Sequence, residues 1–302
     1  MLEIPMPNMK KIKTKIKSVS NMKQITKALE VVATVKLQKT KKQTENYRDF
    51  MTDFLKIMNV VRTKLDILNT NKIDPNWRRL IIVVSSDKWL CWNLNSKLFK
   101  HVFQKYNDFK DNADVFCIGK KAFEFFARAW FNVVWHLNLP DDFNENDLTD
   151  VYDYIINGIT KNKYAKIKVY FNYFKNTITQ VPLRFKVYPI DQDSFDGFVQ
   201  DIWLDLNDVI TDELDYKDLI VEPDLKFFKQ EMLRQFTQHM IYWAALQNKT
   251  GEFASRMLAM KNAKDNATDM IKSLKLSFNK ARQSLITQEV TEIMSAKMAI
   301  ED

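Results

Sequence analysis

Apolar residues return every three or four positions at both ends of the chain and gather into short blocks through its middle. From Ile12 they fall at Ile16, Val19, Met22, Ile25, Leu29 and Val32, and they resume at Met51, Phe54, Met58, Val61, Leu65 and Leu68. Steps of three and four bring side chains to one side of a helix, so one seam is expected from Lys10 to Asn69, about 90 Å at 1.5 Å per residue. Between Gln38 and Asn46 the seam is interrupted by Lys39, Lys41, Lys42 and Glu45, with no Gly or Pro to end the helix. The C-terminal third is stricter: Phe253, Met257, Met260, Lys264, Ala267, Ile271, Leu274, Phe278, Ala281 and Leu285 alternate steps of four and three without a slip. That is the register of a left-handed coiled coil, in which Lys264 either sets the register or marks a divergence of the helices. Upstream, Phe228, Met232, Phe236, Met240 and Trp243 continue a helical face that should begin after Pro223, with Pro at an early position. Gly251 is expected to weaken this helix by about 1 kcal/mol relative to Ala.

The middle reads differently. Leu80–Ser85, Val115–Ile118, Asn132–Trp135, Ile167–Tyr173 and Val181–Val187 are short and rich in β-branched and aromatic residues, as strands are. Helical stretches at Asn95–Tyr106, Lys120–Ala129 and Asn146–Thr160 separate several of them. This alternation predicts a small, mostly parallel sheet with covering helices. The chain is therefore expected to be an α/β protein in four parts: an N-terminal coiled-coil helix over 1–70, an α/β domain over 77–190, a connector over 191–222, and a C-terminal coiled-coil helix over 223–302.

Charge is unevenly spread. Eleven Lys and one Glu (Glu30) lie between Lys10 and Lys42, a local +10 within a formal total of +8, so the remainder is slightly acidic. Such a stripe attracts nucleic acid, an anionic membrane or an acidic protein surface alike. The opposite bias, from Asp191 to Asp224, includes Asp193, Asp196, Asp201, Asp205, Asp208, Asp212 and Glu213, and reads as a solvated, partly irregular connector. The longest aliphatic run, Leu80–Val84, is far below the roughly twenty residues of a membrane-spanning helix. No export signal is read at the N-terminus, so a cytoplasmic location is expected. Cys91 and Cys117 lack a partner at metal-ligand spacing and read as small buried hydrophobes in a reducing compartment.

Catalytic and cofactor motifs are missing. Four glycines do not build a P-loop, and Gly119 in Cys117-Ile-Gly-Lys-Lys121 supplies one glycine of a three-glycine dinucleotide fingerprint, which reads as a plain turn. His101, His136 and His239 are far apart in sequence, giving a zinc site little support. No nucleophile elbow or kinase set is present. The chain is expected to bind no cofactor and to be non-catalytic by itself.

The segment Lys11-Ile-Lys-Thr-Lys-Ile-Lys-Ser-Val-Ser-Asn-Met-Lys-Gln-Ile-Thr-Lys-Ala-Leu-Glu-Val-Val-Ala33 resembles the opening helix of the gamma subunit of F-type ATP synthases. Ala254–Ala267 and Ala281–Ile293 look like that family's two C-terminal blocks, and Glu222-Pro-Asp224 fits the start of its last helix. The resemblance covers about a quarter of the chain and implies an antiparallel coiled coil of the termini with a Rossmann-like domain at its foot. It further implies a rotor shaft in the bore of a hexamer of alpha and beta subunits, where ATP, ADP and Mg are held by those partners. By motif match, Ile25, Thr26, Lys27 and Leu29 would lie near acidic loops of the beta subunits. Arg256, Arg282, Gln283, Thr287 and Glu289 match positions that contact hexamer loops.

Departures fall in the middle. Where the family usually has Ser-Asp-Arg-Gly-Leu-Cys-Gly-Gly, this chain has Ser86-Asp-Lys-Trp-Leu-Cys-Trp-Asn93, placing Trp89 and Trp92 at small positions. The ending changes to Ala296-Lys297, and no block around Trp130, Trp135 or Trp203 aligns. These changes concentrate where the family meets its epsilon subunit and membrane ring. The resemblance thus implies a central-stalk subunit of a membrane-peripheral complex. One alternative is the shaft of a specialised F-type-like ATPase of wall-less bacteria, driving a load such as motility machinery. A more distant one is a lysine-rich nucleic-acid-binding coiled coil, with nucleic acid the less expected partner.

Overall fold

The computed structural model describes residues 9–65, 78–88, 91–190, 192–201, 222 and 224–301. Helix α1 spans Met9–Leu65, followed by β1 (Arg78–Val84), α2 (Trp92–Tyr106), β2 (Ala113–Ile118), α3 (Lys120–Arg128) and β3 (Asn132–Leu137). Then come α4 (Thr149–Thr160), β4 (Tyr164–Phe174), β5 (Gln180–Tyr188), α5 (Gln192–Asp201) and α6 (Leu225–Glu301). The chain divides into two compact units, one of residues 1–34 and 256–302, the other of residues 35–255.

In the larger unit the strands form one sheet of order β3-β2-β1-β4-β5, parallel except for the antiparallel pair β4 and β5. Successive side chains of a strand point to opposite faces, and β1 is apolar from Leu80 to Val84 because both of its faces are covered there. Leu80, Ile82 and Val84 face a core with Met51, Leu55 and Met58 of α1, Ile155 of α4, and Met240 and Trp243 of α6. Ile81 and Val83 face a second core with Leu98 and Val102 of α2 and Phe126 of α3. The five expected strands and the three expected covering helices are all present.

Other expectations need correction. Part of the connector expected to be irregular is helix α5, which buries Phe195, Phe198 and Val199; residues 202–221 lie outside the described ones. The start of α6 after Pro223 is as expected, and Asp224 caps it, its carboxylate accepting from Phe227 N at 2.9 Å. Gly251 does not interrupt α6. It is buried, and a Cβ there would stand 3.2 Å from Gln180 Cγ, so the missing side chain admits β5. Trp89 and the side chain of Trp92 lie outside the described residues.

Candidate docking surface of the coiled coil

The smaller unit pairs the start of α1 with the later part of α6, antiparallel. On α6 the expected seam holds: Met260, Ala267 and Ala281 are buried, and Lys264, Ile271, Leu274, Phe278 and Leu285 are half-buried. On α1 the seam departs from the expected one after Val19. It continues through Lys23, Thr26, Glu30 and Ala33, which are buried or half-buried. Met22, Ile25, Leu29 and Val32 instead face outward, 60%, 61%, 37% and 53% exposed. The physical reason is period: steps of four and three average 3.5 residues per turn and stay on the partner, whereas 19-22-25-29 drifts off it.

Lys264 sets the register. Its Nζ donates to Glu30 Oε1 at 3.1 Å and Oε2 at 2.8 Å, a charged pair set in the apolar seam of α6. The hydrogen bond to Glu30 raises the Lys264 pKa from its ordinary value.

Of the residues matched to hexamer contacts, Ile25, Lys27 and Leu29 are exposed on α1, and Arg282, Gln283, Thr287 and Glu289 are exposed on α6. Thr26 and Arg256 are buried; the Thr26 hydroxyl donates back to Lys23 O at 3.0 Å. These residues do not converge on one spot. Arg282 lies about 27 Å along the helix from Lys264, and Arg256 about 12 Å the other way, at 1.5 Å per residue. They form successive levels on a rod, an arrangement suited to a long lining and not to a pocket.

Sequence reasoning named Ile25 and Leu29 but missed the rest of the apolar part of this surface. Met270, Leu276, Ile286, Val290, Ile293, Met294 and Met298 of α6 are exposed along with the outward face of α1. From Ile286 to Met298 every residue is exposed, so α6 runs past the end of its pairing. Contiguous exposed apolar surface on a folded chain marks a place for a partner. Lys10, Lys11, Lys13, Lys15, Lys17 and Lys27 are exposed beside it, adding a cationic field. The signal was available in the strict 4-3 step from Val19 to Lys23, Thr26 and Glu30.

At the carboxyl ends of β1 and β2, a region where α/β sheets hold nucleotides, the chain's own groups meet. Gly119 has φ +100°, and a Cβ there would collide with the Ser85 carbonyl. The first amides of α3 are in use: Lys120 N donates to Asp87 Oδ1 at 2.9 Å, Lys121 N to Ser86 O at 3.1 Å and Ala122 N to Ser85 Oγ at 2.9 Å. The glycine thus serves strand-to-loop contact. Burial pushes the Cys117 thiol up to about 12, and Cys91 is buried with its Sγ 3.0 Å from Ser86 Oγ. Among the described residues no group of three or more His, Cys, Asp or Glu is placed to hold a metal, and no helix is long and apolar enough to cross a membrane.

A family model described as "ATP synthase" matches residues 8–300. The chain is similar to the ATP synthase gamma chain of Buchnera aphidicola subsp. Baizongia pistaciae, 34% identical over 98% of this chain and 99% of that one. It is similar to that of Ruthia magnifica subsp. Calyptogena magnifica at 32%, over 96% and 99%. In fold it is similar to a chain of the Euglena gracilis mitochondrial ATP synthase, TM-score 0.65 and 16% identity, covering 97% of this chain and 94% of that one. A chain from the central stalk and c-ring structure of the Tetrahymena thermophila enzyme gives TM-score 0.59 and 22% identity, over 79% and 99%. The likeness therefore extends through the middle domain, well beyond the quarter of the chain that motifs alone carried. With matched length, fold order and sequence in agreement, the chain belongs to the ATP synthase gamma-chain family.

Proposed function

We propose that this chain is the central-stalk rotor subunit of an F-type rotary ATPase, coupling ATP hydrolysis or synthesis in a hexamer of alpha and beta subunits to rotation. The observation that carries this reading is the outward apolar face of α1, Met22, Ile25, Leu29 and Val32, set among exposed lysines on a paired helix. Apolar side chains slide against a lining without directional bonds, and positive charge draws the shaft toward acidic loops without locking it. Ile25, Lys27 and Leu29 would bear on one level of the hexamer, and Arg282, Gln283, Thr287 and Glu289 on another. Thr26 and Arg256 would act from within the coil by holding its shape. Nucleotide and Mg would sit on the partner subunits, and this chain would turn without performing chemistry. The complex would be peripheral to the membrane on its cytoplasmic face, with an epsilon subunit and a membrane ring meeting the sheet domain.

Full-length likeness to synthase gamma chains does not favour a specialised shaft with a motility load. Co-expression with the alpha and beta subunits of the same genome should yield a complex of three copies of each with one of this chain. Ile25→Asp with Leu29→Asp should leave ATP hydrolysis running while rotation slows or stops. Failure of the chain to co-purify with these subunits would refute the reading. So would tight duplex DNA binding that falls steeply with salt, which would favour the nucleic-acid alternative.

A further inference from the structure

In the larger unit one carboxylate gathers lysines from three distant parts of the chain. Asp141, in the turn after β3, accepts from Lys36 of α1, from Lys88 of the loop after β1 at 2.8 Å, and pairs with Lys249 of α6 at 3.3 Å. The cluster is sheltered: the side chains of Lys249 and Asp141 are 6% and 16% exposed. Glu252 Oε2, 1% exposed, lies 3.6 Å from Lys249 Nζ. Lys36 and Lys249 each stand 5.7 Å from the centre of the Phe253 ring, so one aromatic ring is shared by both helices' cations. Burial by itself would raise the Asp141 pKa, but the bonds from Lys36 and Lys88 and the charge of Lys249 hold it well below the usual carboxylate range.

Most of the remaining contact between these helices and the sheet is apolar, through Met51, Leu55, Met58, Met240 and Trp243; Asn172 Nδ2 donating to Asn248 Oδ1 and Phe174 N donating to Gln247 Oε1, both at 3.1 Å, tie only α6 to β4. Apolar packing opposes separation strongly but has no directional preference against turning. A sheltered carboxylate shared by several ammonium groups is directional, because displacement leaves charges buried and uncompensated. The neighbouring Asp142 to Lys39 pair, 2.9 Å and well exposed, adds little.

We infer that Asp141 is a positioning residue for torque: by binding Lys36, Lys249 and Lys88 together it fixes the angle of the sheet domain on both shaft helices. This rests on the shaft reading above. The test uses the assembled complex, with the hexamer fixed to a surface and a probe attached through Asp108→Cys, an exposed position of the sheet domain. The angular spread of the probe during a dwell reports torsional stiffness. Asp141→Asn should widen that spread about twofold, since Lys36 and Lys88 lose the carboxylate they share and Lys249 keeps only Glu252, while the ATP hydrolysis rate stays unchanged. Asp141→Glu should restore a narrow spread. A wild-type spread in Asp141→Asn, or a Glu variant as loose as the Asn one, would overturn the assignment. If the Asn variant does not assemble, Lys88→Gln removes one arm and leaves the buried pairs; it should give intermediate widening, and no widening would overturn the assignment equally. An unsubstituted complex that hydrolyses ATP without turning would instead remove the shaft reading, a different result from a turning complex indifferent to position 141.

Discussion

Lys264 shows how a single side chain is decided by what it faces. Its place in an apolar seam left two readings open from sequence, register or divergence, because a lysine's cost depends on whether a carboxylate lies opposite. Glu30 is that carboxylate, 234 residues away, and only the fold brings it to 2.8 Å. Glu30→Ala should lower the thermal midpoint by leaving the ammonium in the seam unpaired, whereas Glu30→Leu with Lys264→Leu should raise it; differential scanning calorimetry distinguishes them. His239 has a similar history. Far from the other histidines in sequence, it packs edge-on against Phe50 and Phe54, with Nδ1 2.9 Å from the Tyr47 hydroxyl. Burial lowers its pKa, which the charge of Glu145 only partly offsets. The folded state therefore holds His239 neutral at pH values where the unfolded chain protonates it. Its contribution to stability is present above the unfolded value of about 6.5 and is lost as pH falls below it. His239→Phe should flatten that acid limb in urea titrations between pH 7.5 and 5.

The elements that sequence marked most clearly were those with both faces covered. Leu80–Val84 of β1 and Val115–Ile118 of β2 are apolar blocks because helices lie on each side of the sheet, so no alternation had to be read. α1 was harder, since it carries two stripes at helical spacing that share Ile12, Ile16 and Val19. One, Met22, Ile25, Leu29 and Val32, is the more hydrophobic and is exposed. The other, Lys23, Thr26, Glu30, Ala33, Leu37, Thr40 and Thr44, is mostly polar and is the seam. The residues Lys39, Lys41, Lys42 and Glu45 that were expected to interrupt the seam are on the exposed side, while Thr44 meets Thr250 at 2.8 Å between the helices. Choosing by hydrophobicity picked the outward-facing stripe; choosing by period would have picked the seam. α5 escaped notice because five Asp and Gln residues in Gln192–Asp201 mask Phe195, Phe198 and Val199. At Gly251, Ala should stabilise α6 by about 0.5 kcal/mol, since helix propensity outweighs a slight shift of the flexible Gln180 side chain. Gly251→Leu should destabilise it, and guanidinium titration would report both signs.

At the scale of the whole molecule, stability and coupling draw on different residues. Beyond Leu285 nothing is buried up to Met298, so a chain ending at Leu285 should melt at the temperature of the intact protein. In the assembled complex the same truncation should weaken the link between hydrolysis and rotation, as seen by comparing ATPase rate with rotation rate. Membership of the family was legible from the two ends, where motifs coincide with helix periodicity. The middle was not, because a sheet core accepts many apolar substitutions that preserve volume and pattern. The outward apolar residues of α1 and α6 also bear on the chain's life before assembly. Ile25, Leu276, Ile293 and Met298 offer copies made in excess of their partners a ready route to self-association and proteolytic recognition. Production of this chain is therefore expected to be matched to that of the subunits that enclose it, and its abundance to fall when they are depleted.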